Sequence, residues 1–445
     1  MSYEMIALLM FASMVVLLTT GQRVFAAIGF VAAGAAVLLY GQGSIELPFN
    51  QVFKLFNWYP MLTLPMFIYM GYILSEAGIA EDLYRMLHVW FGRVRGGLAI
   101  GTIFLMVIIS AMNGLSVAGM AIGATIALPE MLRRGYDKVL ISGVVQGGSS
   151  LGILIPPSVV LVLYGMIARQ PVSKLWFAGL VPGLIMAALF VIYIAVRARM
   201  NPSLAPVVPD EDLNMPLSEK LALARAGIIP FVIFFLMTGL FVFGFTSLVE
   251  SSAVGAFSAT LAAVVKGRFT WRLVRETSMK TLSISCMFLW LILAALAFGA
   301  VFDGLGAVKA IENLFITQWN LSPWTVIIMM QLSFLVMGTF LDDTAMLVIV
   351  APLYIPLVKT LDLGFDGQLI WFGILYTITC QIAYITPPFG YNLFLMRSLA
   401  PKEITLIDIY RSIWPFAAIM VLTIVLLMFF PQLALWLPEH MNVKG

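Results

Sequence analysis

Two adjacent carboxylates, Asp342 and Asp343, lie in the middle of an apolar run, 321–356, that holds no other charged residue. An ionisable group inside such a run is costly in a membrane and usually functional. One carboxylate could ligate sodium, while the other is protonated, caps a helix N-terminus or meets a cation. Helix capping alone and coupling to protons through these acids remain open as alternatives.

The two carboxylates belong to one of four polar interruptions in otherwise apolar runs. The four are SAMNGLS (110–116), GGSSLGILIPPS (147–158), GTFLDDT (338–344) and TPPFG (386–390). The second and fourth each carry a proline pair, and proline removes a backbone donor and breaks a helix. Broken backbone survives in a membrane only when it is buried in protein or lines a cavity.

The interruptions offer carbonyl and hydroxyl oxygens, which suit a hard cation such as sodium, and helix N-termini, which suit an anion. We therefore predict two ion clusters with a substrate between them. The predicted sodium ligands are Ser110, Asn113, Ser116, Gly147, Ser150, Gly338, Asp342, Thr379 and Thr386, with Gly148 and Thr339 nearby. The predicted substrate contacts are Asn113, Ser149, Asp343, Thr344, Asn392 and Arg397.

Each of these residues also has a simpler interpretation. Small polar residues permit helices to pack closely without binding anything. Arg397 could clamp a substrate carboxylate, or it could extend its guanidinium to the membrane interface. The sequence leaves both alternatives open.

The composition identifies the elements that must position these residues. Of the 445 residues, 62% are hydrophobic and 11% are charged, whereas soluble proteins have roughly 25% charged residues. These values indicate an all-α polytopic membrane protein in a lipid bilayer. The net charge of +3 gives no reason to expect a nucleic-acid partner, and two histidines are too few for a His-based metal site.

Apolar stretches long enough to cross a bilayer follow one another along the chain. They are 4–20, 22–40, 58–78, 175–198, 222–245, 247–265, 281–301 and 408–431. The runs 97–130 and 321–358 are interpreted as re-entrant hairpins. With this topology, 19 of the 25 basic residues share one side, which the positive-inside rule assigns to the cytoplasm, so both termini are expected in the periplasm.

The order of these elements repeats. A first unit, 58–198, and a second, 281–445, each contain a span, an amphipathic connector, a hairpin, a proline-broken span and a closing span. We expect the two units to have opposite orientations in the membrane. Residues 1–57 are expected to form N-terminal scaffold helices, and 199–280 a linker followed by further scaffold helices. Inverted repeats with interrupted helices are typical of secondary transporters.

Several motifs recur in order over nearly the whole chain: LPMFIYMGYILSEAGIA, RGGLAIGTIF, ALPEMLRRGYD, GGSSLGILIPPSVVLVLYG, TPPFGYNLF and FPQLALWLP. In this combination the chain resembles the large membrane subunit, DctM type, of TRAP transporters. The resemblance implies a sodium-driven importer of organic acids in a bacterial cytoplasmic (inner) membrane, working by an elevator mechanism. It implies at least two sodium sites, at the clusters named above, and the ending with Arg397 resembles a branch that carries 2-oxo or hydroxy acids.

The same resemblance implies two partners. They are a small four-helix membrane subunit, expected as a separate chain, and a periplasmic substrate-binding protein. A sodium- or proton-coupled carboxylate symporter that needs no binding protein is the main alternative. An intramembrane enzyme is a weaker one, because the sequence has no H-E-x-x-H and no third acid after Asp342-Asp343.

Overall fold

The computed structural model describes residues 2–441 apart from 42, 45, 93, 115, 208–215, 339, 340, 342, 388 and 389. Throughout the described part of the chain, every regular element is a helix. The all-α prediction is therefore confirmed.

Most helices of the N-terminal half are short, apart from the 29-residue α11. They are α1 (Tyr3–Thr19), α2 (Val24–Ala35, prolonged by a π turn over Ala36–Tyr40), α3 (Glu46–Phe56), α4 (Thr63–Glu76), α5 (Ile79–Phe91), α6 (Gly97–Asn113), α7 (Ser116–Ile122), α8 (Leu128–Arg133), α9 (Lys138–Ser150), α10 (Val159–Ala168) and α11 (Val172–Met200).

The second half includes the longest helix. Its elements are α12 (Leu217–Val242), α13 (Leu248–Val265), α14 (Trp271–Gly304), α15 (Ala307–Glu312), α16 (Pro323–Gly338), α17 (Asp343–Thr360), α18 (Gln368–Ile385), α19 (Tyr391–Leu399), α20 (Leu406–Ser412), α21 (Trp414–Phe429) and α22 (Gln432–His440).

Among the described residues, seven helices are long and apolar enough to cross a membrane, and an eighth span results if the bent pair α4–α5 counts as one. The predicted spans 175–198, 222–245, 247–265, 281–301 and 408–431 match five of the seven helices, and 58–78 lies in the α4–α5 pair. The predicted spans 4–20 and 22–40 form the shorter apolar helices α1 and α2. The other two of the seven, α17 and α18, lie in the predicted second hairpin and before the second proline pair. The largest difference is α14, which begins ten residues before the predicted span at 281. Its 34 residues extend about 51 Å, well beyond the roughly 30 Å hydrocarbon core. Helices α3 and α22 were not predicted from the sequence.

Both predicted hairpins double back on themselves. At the first hairpin, the Thr102 hydroxyl of α6 lies 3.8 Å from the sulfur of Met131, one residue past 130 in α8, and helices α6 and α7 pack together. In 321–358, the Ser333 hydroxyl lies 2.8 Å from the Tyr354 hydroxyl, between α16 and α17. A re-entrant hairpin and a pair of short spans both return the chain to the side that it entered. The bias of basic residues fits either, and re-entry remains a prediction.

The helices pack in two groups that also contact each other, through α14 on α17 and through α6 on α4 and α5. Helix α14 packs against α2, α3 and α4, and α13 packs against α4. In the second group, α6 packs on α9, α16 on α18, and α18 on α21. Each hairpin also contacts the broken helix of the other half, because α7 packs on α19 and α17 packs on α10. The opposite orientation of the two units, and the boundaries of the predicted domains, stay predictions.

A bend of 66° separates α4 from α5, and Gly78 occupies it with a φ of +63°. The loop between α13 and α14 holds this bend in place. Lys266 pairs with Asp82 of α5, and the Arg268 guanidinium donates to the Ala77 carbonyl at 2.6 Å.

Candidate binding site at the helix interruptions

The first proline pair interrupts its helix as predicted. Helix α9 ends at Ser150 in a short 3-10 turn over Leu151–Ile153, and α10 begins only at Val159. The Ser158 side chain caps α10 by accepting from the Leu161 amide at 3.2 Å, and its hydroxyl donates to the Ile153 carbonyl. The backbone between the two helices is buried.

The second proline pair also ends a helix. Helix α18 stops at Ile385, and Thr386 is extended, with φ −94° and ψ 131°. The Thr386 carbonyl accepts from the Gly390 amide at 3.2 Å, one residue before α19 begins.

The tip of the first hairpin touches the first break. The Val159 amide donates to the Gly114 carbonyl at 3.2 Å. Gly114 has a φ of +66°, and a Cβ added there would lie 2.8 Å from the carbonyl oxygen of Pro157. Glycine is therefore required both by the turn and by the close approach of two backbones.

The tip of the second hairpin touches the second broken helix. A Cβ added at Gly338 would lie 2.3 Å from the Cβ of Ala383, near the end of α18. The Tyr376 hydroxyl of α18 donates to the Asp343 carbonyl at 2.6 Å. The hydroxyl of Thr379, also on α18, donates to the side-chain oxygen of Gln331 on α16 at 2.5 Å.

Two hydrogen bonds between buried groups join the halves of the chain at the breaks. The Asn392 amide donates to the Ser116 hydroxyl at 3.0 Å, from the start of α19 to the start of α7. The Gln381 amide donates to the Ser150 carbonyl at 2.9 Å, from α18 to the end of α9. All four interruptions therefore meet in one region.

Amide groups in and beside this region keep buried atoms that have no hydrogen-bond partner within the described structure. These atoms are the side-chain oxygens of Gln146, Gln381 and Asn392 and the side-chain nitrogen of Gln331. Gln146, Gln381 and Asn392 are completely buried. A buried polar atom without a partner costs about 1–3 kcal/mol, so its presence calls for a ligand or an ordered water.

The hydroxyls predicted to bind sodium or substrate are engaged locally. Ser149 donates to the Gln146 carbonyl at 3.0 Å, Ser150 to Gly147 at 2.7 Å, and Thr386 to Ile382 at 2.5 Å. A hydroxyl that has donated its proton still offers lone pairs to a cation. The arrangement is thus compatible with cation binding, and the roles of these residues stay predictions.

The glycines before the first break pack closely. A Cβ added at Gly147 would lie 2.3 Å from the ring of Phe416, and one added at Gly148 would lie 2.8 Å from the Met106 side chain. The close-packing interpretation therefore accounts for both glycines. Thr344, at the other hairpin, is buried and its hydroxyl lies 3.3 Å from a carboxylate oxygen of Asp343.

The side chains of four predicted site residues fall outside what the structure describes. Thr339 and Asp342 are not among the described residues. Ser110 and Asn113 lie at the end of α6, and only their backbones are described. The second carboxylate, Asp343, is the first residue of α17, next to the meeting point.

Arg397 is exposed, in the last turn of α19. Its guanidinium donates to the Ile404 carbonyl at 2.8 Å, in the connection to α20. This bond leads away from the interruptions, whereas Asn392, one to two turns earlier, is completely buried and reaches Ser116. This contact is compatible with the interfacial interpretation of Arg397, and its role as a substrate clamp stays a prediction.

Sequence reasoning missed the three glutamines, Gln146, Gln331 and Gln381. It concentrated on hydroxyls, glycines and carboxylates in the interruptions themselves, and each glutamine lies within a helix flanking one. The sequence could have indicated these glutamines, because a side-chain amide within an apolar run of membrane-spanning length must find a hydrogen-bond partner. Within the described residues, no group of three His, Cys, Asp or Glu side chains converges on a common point.

Comparison with known proteins confirms the family resemblance that the sequence motifs indicated. A family model described as the DctM component of tripartite ATP-independent periplasmic transporters matches residues 11–433. The C4-dicarboxylate TRAP transporter large permease protein DctM of Pseudomonas aeruginosa is 28% identical over 411 residues, covering 92% of this chain and 93% of that protein. The ectoine TRAP transporter large permease protein TeaC of Halomonas elongata is 26% identical over 417 residues, covering 91% and 92%.

The fold also has a solved counterpart. The crystal structure of the Alcanivorax borkumensis YdaH transporter superposes with a TM-score of 0.63 and 13% identity, over 92% of this chain and 91% of that one. This similarity concerns the fold alone. The family match, in contrast, covers nearly the whole sequence, and the chain therefore belongs to the DctM component family of tripartite ATP-independent periplasmic transporters, a multi-pass membrane transporter component and not an enzyme.

Proposed function

We propose that this chain is the sodium-coupled permease subunit of a transporter that imports an organic acid. Sodium would bind where the hairpin tips meet the helix breaks, and the substrate carboxylate would bind between the two clusters. The single observation that carries the proposal is the set of buried, unpartnered amide atoms at and beside this meeting point.

The chemistry of these atoms fits both parts of the cargo. The oxygens of Gln381 and Asn392 are neutral acceptors, which can replace water around sodium without titrating. The Gln331 nitrogen is a donor and suits an anion. Helices α10, α17 and α19 all begin at these interruptions, and helix N-termini favour negative charge.

The family suggests how the cargo reaches this site. We propose that a periplasmic binding protein delivers the substrate and that a small membrane subunit accompanies this chain. We further propose that the hairpin-containing helices slide as an elevator against α2, α4, α13 and α14. Two relatives of similar identity are named for different substrates, C4-dicarboxylates and ectoine. The identity of the organic acid therefore has to come from transport measurements.

Gln381 provides the test. Gln381→Leu keeps the volume of the side chain roughly constant but removes the oxygen proposed to face sodium and the donor to Ser150. We expect the sodium concentration for half-maximal uptake to rise about tenfold, equivalent to about 1.4 kcal/mol, in proteoliposomes with the small subunit and the binding protein. Thr423→Val is the control, because Thr423 is buried on α21 and bonds only within its own helix.

The ion and the partner are tested in the same assay. Uptake that is equal in sodium and choline would contradict sodium coupling, and uptake driven by a proton gradient alone would assign the coupling to protons. Full uptake without the binding protein would favour the partner-independent symporter.

A further inference from the structure

A separate cavity lies where α10 turns into α11, away from the four interruptions. It has a volume of about 530 Å³, within the 300–1,000 Å³ typical of small-molecule sites. Helix α3 and the turn after it, the α10–α11 turn, and the α12–α13 loop all contribute to its wall. Because none of the lining residues belongs to an interruption, the cavity is independent of the ion site proposed above.

The charged residues that line this cavity are basic. Lys54 and Arg169 line it, and among the described lining residues none is acidic. The carboxylate of Glu250 is adjacent to the wall, but it accepts from the backbone amide of the lining residue Ser247 at 2.7 Å. Most of the remaining wall is apolar and includes Trp58 and Phe241.

Arg169 has a backbone conformation that is unfavourable for arginine. It terminates α10 with a φ of +53°, a left-handed conformation in which glycine is the usual residue and other side chains are strained by about 1 kcal/mol. Its guanidinium donates to the side-chain oxygen of Gln51 at 3.2 Å, across to α3. This contact uses one of the five donors of the guanidinium, and the arginine is held facing the cavity at a cost to the backbone.

We propose that this cavity binds an anion with a hydrocarbon body. The head, a phosphate or a carboxylate, lies between Arg169 and Lys54, and the body lies against Trp58 and Phe241. Two sources supply this chemistry: the headgroup and upper acyl chain of an anionic phospholipid, and a free amphiphilic carboxylate. Residues of α3, α10–α11 and α12–α13 form the wall of the cavity. A bound anion would therefore bridge the N-terminal helices, the first half and the linker helices.

Arg169→Gly is the test variant, because glycine accepts the left-handed backbone while the guanidinium is removed with the rest of the side chain. Lys309→Ala is the matched control, since Lys309 is an exposed lysine on α15 that does not line the cavity. The measurement is the shift in apparent melting temperature of the detergent-purified protein. It is titrated with phosphatidylglycerol, with phosphatidylcholine and with decanoate.

We expect phosphatidylglycerol to stabilise the wild type and Lys309→Ala equally, and half-maximal stabilisation of Arg169→Gly to need about ten times more lipid. If decanoate stabilises the wild type and phosphatidylglycerol does not, and if Arg169→Gly needs about ten times more decanoate, the site is supported and its ligand is a free carboxylate. Equal responses to phosphatidylcholine and phosphatidylglycerol, or an unchanged titration in Arg169→Gly, would overturn the proposal.

Discussion

Gly338 contacts Ala383, and this contact joins the second hairpin to the second broken helix. Exchanging the two residue types, glycine for alanine at one position and alanine for glycine at the other, tests the contact. Gly338→Ala places a Cβ 2.3 Å from the Cβ of Ala383, and such overpacking costs about 1–3 kcal/mol. Ala383→Gly introduces glycine into α18 and costs about 1 kcal/mol. In the double variant the new Cβ meets the Cα of residue 383 at 3.7 Å, an ordinary contact.

The free energies of unfolding of the four proteins, measured by steric trapping in bicelles, decide this prediction. Independent sites would add to about 2–4 kcal/mol in the double variant. We expect only about 1 kcal/mol, because the removed methyl relieves the clash. Uptake should be lost in Gly338→Ala and largely restored in the double variant. Additive costs with no recovery of uptake would show that the hairpin tip does not pack on α18, and the arrangement described above would be refuted.

Two further contacts give predictions. Arg397→Ala should leave the substrate concentration for half-maximal uptake unchanged and lower the apparent melting temperature slightly, because its bond to Ile404 is structural; a several-fold rise in that concentration would support its predicted role as a substrate clamp. Asp82→Asn should lower the free energy of unfolding by about 1 kcal/mol, since it removes the half-buried partner of Lys266. Combining it with Lys266→Met should cost little more, and fully additive losses would contradict the pairing.

The elements of this fold were predictable because a membrane imposes a length and an apolar composition on each span. Both proline breaks, and the reversal of the chain within each hairpin, were predicted from residues that act over a short stretch of sequence. The extension of α14 was not predictable in the same way, because its first turns carry Arg272 and Arg275 and have no long apolar run. Helix α3 was missed for a related reason, as it is amphipathic and mixes Glu46, Gln51 and Lys54 with aromatic residues.

The site was predicted by region better than by residue. The four interruptions were predicted to meet, and Gly114, Ser116, Gly338 and Asn392 show that they do. The partners within this region depend on which helix faces which, and a sequence pattern does not give that information. The pairing of Gln381 with Ser150 spans 231 residues, and the packing of Phe416 on Gly147 spans a similar distance. Such long-range contacts were seen only in the structure.

The central claim is that the meeting point of the four interruptions binds sodium. Cryo-electron microscopy of the purified transporter in saturating sodium and in choline tests it most directly. The account predicts a density present only in sodium, within coordination distance of the side-chain oxygens of Gln381 or Asn392. Identical maps in the two salts at this position, with a sodium-dependent density elsewhere in the protein, would contradict it.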